Sequence, residues 1–376
     1  MTKLENVAKF GLSEYLAQKA IHMKVPLSGT FELSPVCNLS CRMCYVRKTE
    51  REIAASPRAP LKLDTWRRLA REAKEAGTLY LLLTGGEPLL WPDFETLYTE
   101  LCDMGFLVSV NTNGTLIDSR WIKVFRDHPP YRINITLYGA SNDTYRRLCS
   151  VDGVFEKVCS AVRELKAADI PLKLNCSLTP YNECDLEWIV DFARSEGVKL
   201  TTATYMFPPV RRDATKTGVN DRFTPEESAR NLLRYLGRDR GSEAFKRYIN
   251  GIVNGCVDPP GLDESCTDPV DGKIRCRAGR ASFWITWDGM MTPCGMMPEP
   301  KTDVVQSTFA DAWQKTVEKA AALRLSGVCT DCPNAGICHP CAAIAYAETG
   351  STEKIPEYMC KVSRELLRLA REIHEN

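Results

Sequence analysis

The chain lacks an excess of charge of either sign, a long apolar run and a secretory start. Its 376 residues carry 49 Lys and Arg against 48 Asp and Glu, a net charge of +1. A nucleic-acid partner calls for a basic face, and this balance supplies no case for one. No run of 18 apolar residues occurs, so no membrane span is expected. The stretch Met1 to Phe10 has neither a long apolar core nor a small-residue cleavage site, and is not a secretory signal. A cytoplasmic location is the expectation. What remains is ordinary for a globular protein: 44% hydrophobic and 26% charged residues, with length for two or three domains. One residue type stands out, with 17 cysteines. In a reducing cytosol these point to metal binding before disulfides.

Three of them fall within eight residues, Cys37, Cys41 and Cys44, directly after the strand-like run Gly29 to Ser34. A structural zinc takes four protein ligands, and a [4Fe–4S] cluster closed by protein takes four cysteines. Three thiols without a local fourth imply a cluster with one iron open to a small molecule. Half of a zinc site completed from a distance, or a buried chain crossing that happens to hold cysteines, are the plainer alternatives.

From Gly29 to about Thr204, six strand-like segments alternate with helical patterns. The apolar run Leu79 to Leu83 has the character of a buried parallel strand. Segments 106–110, 132–136, 172–176 and 198–204 follow. Asp64 and Asp93 are placed to cap helices. Such alternation predicts an α/β fold with a parallel sheet and right-handed crossovers. Six units are two short of a full barrel, so a partial (β/α)6 TIM-like barrel is expected, with its chemistry at the C-terminal ends of the strands.

Three segments stand at those ends. Thr84-Gly85-Gly86-Glu87-Pro88 follows the second strand. Its glycines permit close approach of a ligand, and Glu87 offers a carboxylate to an ammonium group. A tight turn explains the same letters. Thr112-Asn113-Gly114 follows the third strand and Thr136-Leu137-Tyr138-Gly139 the fourth.

Farther along, the predicted hairpin Phe283 to Thr292 turns at Asp288-Gly289. Around it lie Cys266, Cys276 and Cys294, then Cys329, Cys332, Cys338, Cys341 and Cys360. Two structural zincs are the plain alternative for this region. Cys102, Cys149, Cys159 and Cys176 read as small buried hydrophobes. Cys256 sits outside every cluster pattern.

The first loop, with Gly85-Gly86-Glu87 some forty residues on, resembles the signature of the radical S-adenosylmethionine (radical SAM) enzymes. The C-terminal cysteines resemble the SPASM domain found in part of that family, over about residues 266–360. Two departures are visible. Met43 stands where an aromatic usually precedes the third cysteine, and two residues instead of three separate Cys338 from Cys341.

The resemblance implies three [4Fe–4S] clusters and S-adenosylmethionine (SAM). Cys37, Cys41 and Cys44 hold the SAM-binding cluster. Gly85, Gly86, Glu87, Asn113 and Thr136 contact SAM, while Tyr138 replaces the acid of relatives and inherits no role. Cys276, Cys294 and Cys341 hold the first auxiliary cluster, completed by Cys266 or left with an open iron. Cys329, Cys332, Cys338 and Cys360 hold the second. The chemistry implied is cleavage of SAM to a 5′-deoxyadenosyl radical that abstracts hydrogen from a peptide or small protein. The outcome is a crosslink or thioether, an epimerised residue or an oxidised side chain, and a reductant such as flavodoxin or ferredoxin supplies the electron. Cys256 is a candidate hydrogen donor. Gly295, where sulfatase-maturing relatives carry an aspartate, argues against formylglycine formation. The 36 residues before Cys37 are too few for a leader-binding domain. Dehydrogenation of a small molecule such as an aminocyclitol, or a non-catalytic iron–sulfur electron carrier, are the alternative functions. The expected layout is an N-terminal helical segment (1–28), the barrel (29–240), a bridge (241–265), the auxiliary-cluster domain (266–360) and a C-terminal helix (361–376).

Overall fold

A computed structural model describes residues 11–209, 211, 221–255, 272–274 and 276–375. Six parallel strands build the barrel: β1 (Ser28–Glu32), β2 (Tyr80–Thr84), β3 (Leu107–Thr112), β4 (Arg132–Thr136), β5 (Leu172–Ser177) and β6 (Lys199–Ala203). They pair in sequence order. The helices between them bury one face each, through Trp66, Leu69 and Ala73 in Leu63–Glu75 and through Leu97, Tyr98 and Leu101 in Phe94–Asp103. The main core is this layer of side chains between sheet and helices.

The sheet does not stop at the barrel. β7 (Ser282–Ile285) pairs parallel with β1, from Ser28 opposite Ser282 to Phe31 opposite Ile285. β8 (Met290–Thr292) and β9 (Thr302–Asp303) continue antiparallel, giving a nine-stranded sheet. The cysteine-rich region is thereby hydrogen-bonded to the edge of the barrel. Gly29 marks the junction: a Cβ there would stand 2.1 Å from the Phe283 ring.

Two of the three smaller cores lie beyond the barrel, and the third packs Ala17 and Ala20 against Leu27 and Ala281. Helices Pro225–Arg240, Ser242–Val253 and Glu357–Glu375 pack through Leu233, Ile249, Ile252 and Leu366. Ile274, Met297, Ala320 and Ala342 form the other core, against which Cys294 and Cys341 lie.

Several boundaries differ from the sequence reading. Lys62 occupies the N-cap position ahead of Leu63–Glu75, so Asp64 sits in the first turn. Asp93 is the N-cap of its helix but makes no side-chain cap bond. The last helix begins at Glu357 and therefore carries Cys360. No helix among the described residues is long and apolar enough to cross a membrane.

Candidate active site

The loop after β1 is held from two sides. Gly86 and Glu87 donate their N–H groups to the carbonyls of Ser34 and Val36, both at 2.8 Å. On the other flank, Ser40 and Arg42 donate to the carbonyls of Cys149 and Leu148 at 2.9 and 3.0 Å. The two glycines serve this contact. A Cβ on Gly85 would lie 2.4 Å from the Ser34 carbonyl oxygen, and one on Gly86 2.3 Å from that of Val36. Thus β2's terminal loop lies directly on the three-cysteine loop.

Cys37, Cys41 and Cys44 line one cavity of about 350 Å³, together with Gly85, Gly86, Asn113, Thr136 and Tyr138. This lies within the range of small-ligand pockets. Backbone N–H groups already point at the sulfurs, from Leu39 to Cys37 at 3.4 Å and from Arg47 to Cys44 at 3.3 Å. The Asn113 amide approaches Cys37 at 3.8 Å. Such donors favour thiolate, the ligand form of cysteine. Burial pushes the Cys37 thiol up to about 12, with the Leu39 N–H opposing it. Cys41 goes the other way, lowered first by a hydrogen bond from Cys149 and also by one from Tyr138. Cys149 is itself fully buried, beside the Cys41 thiol. Tyr138 occupies the wall where the sequence offered no role.

Glu87 is engaged by the loops around it. Its carboxylate is fully buried. It accepts from the Asn113 N–H and the Thr112 hydroxyl at 2.8 Å each and from the Leu89 N–H at 3.2 Å. It braces the loops after β2 and β3 against one another, while the backbone of Gly85 and Gly86 faces the cavity. Asn113 continues that brace by donating to Asn38 at 2.9 Å and accepting from Thr115. Arg146 and Arg147 pair with Asp143 and Asp152 on the surface.

A second cavity, of about 650 Å³, occupies the barrel lumen below the first. Its lining includes Thr30, Ser109 and Asn134 from the barrel and Trp284, Cys276 and Cys294 from the hairpin region. Met296 borders both cavities. Between them stands a buried ion pair that sequence reasoning missed. Glu32 accepts from Arg211 at 2.7 and 2.9 Å and from the Trp284 indole at 2.9 Å. Arg211 also donates to the Gly295 carbonyl at 2.8 Å and lies over the Tyr45 ring. The only sequence signal was an acid at an inward strand position. Gly295 is required by packing, because a Cβ there would meet the Trp284 ring at 2.7 Å.

The C-terminal thiols gather in two places. Burial pushes Cys294 up to about 12, and the charges of Cys341 and Cys276 add to it. Cys338 is likewise pushed up to about 12 by burial, then by Cys360, Cys329 and Cys332. Cys341 also borders a small cavity shared with Cys329, Cys338 and Cys360, so it stands between the two sets. Cys256 and Cys266 lie outside the described residues. Among the described residues no group of three or more His, Cys, Asp or Glu side chains is spaced to hold a metal ion; the first three thiols share the wall of one cavity. Thiols grouped in threes and fours, with amide donors aimed at sulfur, fit iron–sulfur clusters.

Residues 31–193 match the model of the Radical SAM superfamily. The AdoMet-dependent heme synthase of Methanosarcina barkeri is 25% identical over 331 residues, covering 85% of this chain and 92% of that protein. SuiB of Streptococcus suis bound to its precursor peptide SuiA superposes with a TM-score of 0.67 at 18% identity, covering 95% of this chain and 80% of SuiB. The enzyme anSMEcpe, solved with bound AdoMet and the Kp18Cys peptide, gives 0.66 at 18% identity over 93% and 98%.

Proposed function

From the premise that the chain belongs to the radical SAM superfamily, we propose that it modifies a peptide or protein held in the barrel lumen, beginning with hydrogen abstraction. The observation that carries this is the pair of cavities meeting at Met296. One is lined by the three-cysteine loop and Gly85-Gly86, the other reaches Cys276 and Cys294. When bound, the cluster and SAM supply the radical chemistry. This chain's part is to hold SAM against Gly85, Gly86, Asn113 and Thr136 and to keep the reacting carbon beside that cavity. Tyr45, Met43 and Met206 give that cavity an apolar stretch of wall. Cys276, Cys294 and Cys341, and then Cys329, Cys332, Cys338 and Cys360, would hold two auxiliary clusters that pass an electron in or out. Cys256 remains the proposed hydrogen donor should the outcome be epimerisation.

Peptide-bound SuiB and anSMEcpe share the fold and support the peptide reading. A tetrapyrrole substrate is the second reading, favoured by the match to the heme synthase over 92% of that protein. The test is anaerobic incubation of the reconstituted protein with SAM, a reductant and peptides encoded beside its gene. Formation of 5′-deoxyadenosine together with a peptide mass change is expected. Deoxyadenosine without any peptide change overturns the peptide reading, and no deoxyadenosine at all overturns the radical one.

A further inference from the structure

Along β1–β6 every second side chain points into the lumen. Thr84, Asn111, Thr136, Ser177 and Ala203 line the upper cavity, and Thr30, Leu82, Ser109 and Asn134 the lower. At these inward positions the described strands hold one carboxylate, Glu32, and it is already engaged by Arg211 and Trp284. They also hold three cations in one region: Arg132 on β4, Lys173 on β5 and Lys199 on β6. Lys173 stands in register with Lys199 on one side and with Asn134 on the other.

None of the three has a carboxylate partner among the described residues. Arg132 donates to the Asn134 side chain at 2.8 Å, and Asn134 to Asn111 at 2.8 Å. This chain of contacts rises from the charged level to the wall of the upper cavity. Lysine 199 is exposed and solvated, but Lys173 is half-buried. Burial disfavours its charged form, and Arg132 and Lys199 add to that. Like charges opposite one another destabilise a sheet, and a half-buried cation without a counterion costs more. An anion between Lys173 and Lys199 removes both costs, and Arg132, on the wall of the lower cavity, stands two residues below the Asn134–Lys173 level.

We propose that Arg132, Lys173 and Lys199 seat a carboxylate of the substrate, whose reacting part extends upward to Met296. This rests on the reading that the lumen holds substrate. At about 3.3 Å per residue, the Lys173 level lies roughly 13 Å below Ser177. A ligand of a few atoms does not span that distance. A peptide segment with an acidic side chain does, and so does a carboxylated macrocycle.

The test uses the reconstituted full chain with SAM and two probes: a tetraglutamate peptide capped at both ends, followed by equilibrium dialysis, and mesoporphyrin IX, followed by its Soret band. Their neutral counterparts are the tetraglutamine peptide and the porphyrin dimethyl ester. One carboxylate probe is expected to bind at least about tenfold more tightly than its neutral counterpart, the scale of a lost charged hydrogen bond. Lys173→Met and Arg132→Gln should each weaken it by a similar factor, whereas Lys173→Arg should retain it. Which probe binds identifies the source of the carboxylate. Equal binding of a neutral counterpart, unchanged binding in both charge-removing variants, loss in Lys173→Arg with unaltered melting, or failure of both probes on the wild type overturns the proposal. SAM cleavage by the wild type is measured alongside. Its absence with carboxylate binding intact would strike the radical reading alone.

Discussion

At Glu87 three donors converge on one buried carboxylate. Burial raises its ionisation from the ordinary 4.5 to about 7, against the pull of those donors, Asn113 first. The sign follows from proton counting. Between about 4.5 and about 7 the folded chain binds more protons than the unfolded one, so stability falls as pH rises through that window and levels off above it. Glu87→Gln removes the titration. Melting of the SAM-free protein at pH 5.5 and 7.5 should show the wild type losing ground to Glu87→Gln as pH rises; parallel curves would refute the assignment. Glu87→Ala leaves the Leu89, Asn113 and Thr112 donors buried without an acceptor, at roughly 1–3 kcal/mol each. It should melt well below Glu87→Gln at both pH values. The place of Gly85, Gly86 and Glu87 at the end of the second strand was legible in the sequence. Their division of labour was not, because it depends on which loop lies against which.

Glycines separate the elements that must touch from those that need not. At Gly29, between β1 and β7, a side chain would enter the Phe283 ring, and overpacking of this kind costs about 1–3 kcal/mol. Exposed Gly237, inside helix Pro225–Arg240, would place a Cβ at an ordinary 3.5 Å from Phe245. Gly29→Ala should therefore lower the denaturant midpoint, and Gly237→Ala should raise stability by about 0.5–1 kcal/mol. A fall in both would undo the distinction. The N-terminal helix, Leu12–Met23, was readable as a helical segment because its apolar spacing is local. The β1–β7 pairing was not, because its partners lie some 250 positions apart and neither strand's alternation names its neighbour. Helices Gly327–Thr330 and Ala335–Cys338 are one turn each, too short to leave a periodic pattern.

Across the whole molecule, a buried knot ties barrel to C-terminal region. Arg222 pairs with Glu348 and lies 3.9 Å from the Tyr358 ring centroid, while Tyr205, after β6, donates to Glu348 at 2.6 Å. Removing one partner of such a buried pair costs about 3–5 kcal/mol. Glu348→Ala should thus loosen the C-terminal region, which limited proteolysis would detect as early cleavage beyond residue 325. The three cysteine sets stand on different supports: the loop strapped between β2 and helix Asn142–Cys149, the hairpin region with its own small core, and the last helix. Changes on independent supports add. With about twelve irons expected from three clusters, replacing Cys37, Cys41 and Cys44 by alanine should remove about four. Replacing Cys329, Cys332 and Cys338 should remove a different four, and the combination about eight. Iron and sulfide assays on anaerobically reconstituted protein read this directly. Loss of nearly all the iron in either single set would mean that the clusters assemble as one unit, with Cys341, which borders both C-terminal sets, as the place to look for their coupling.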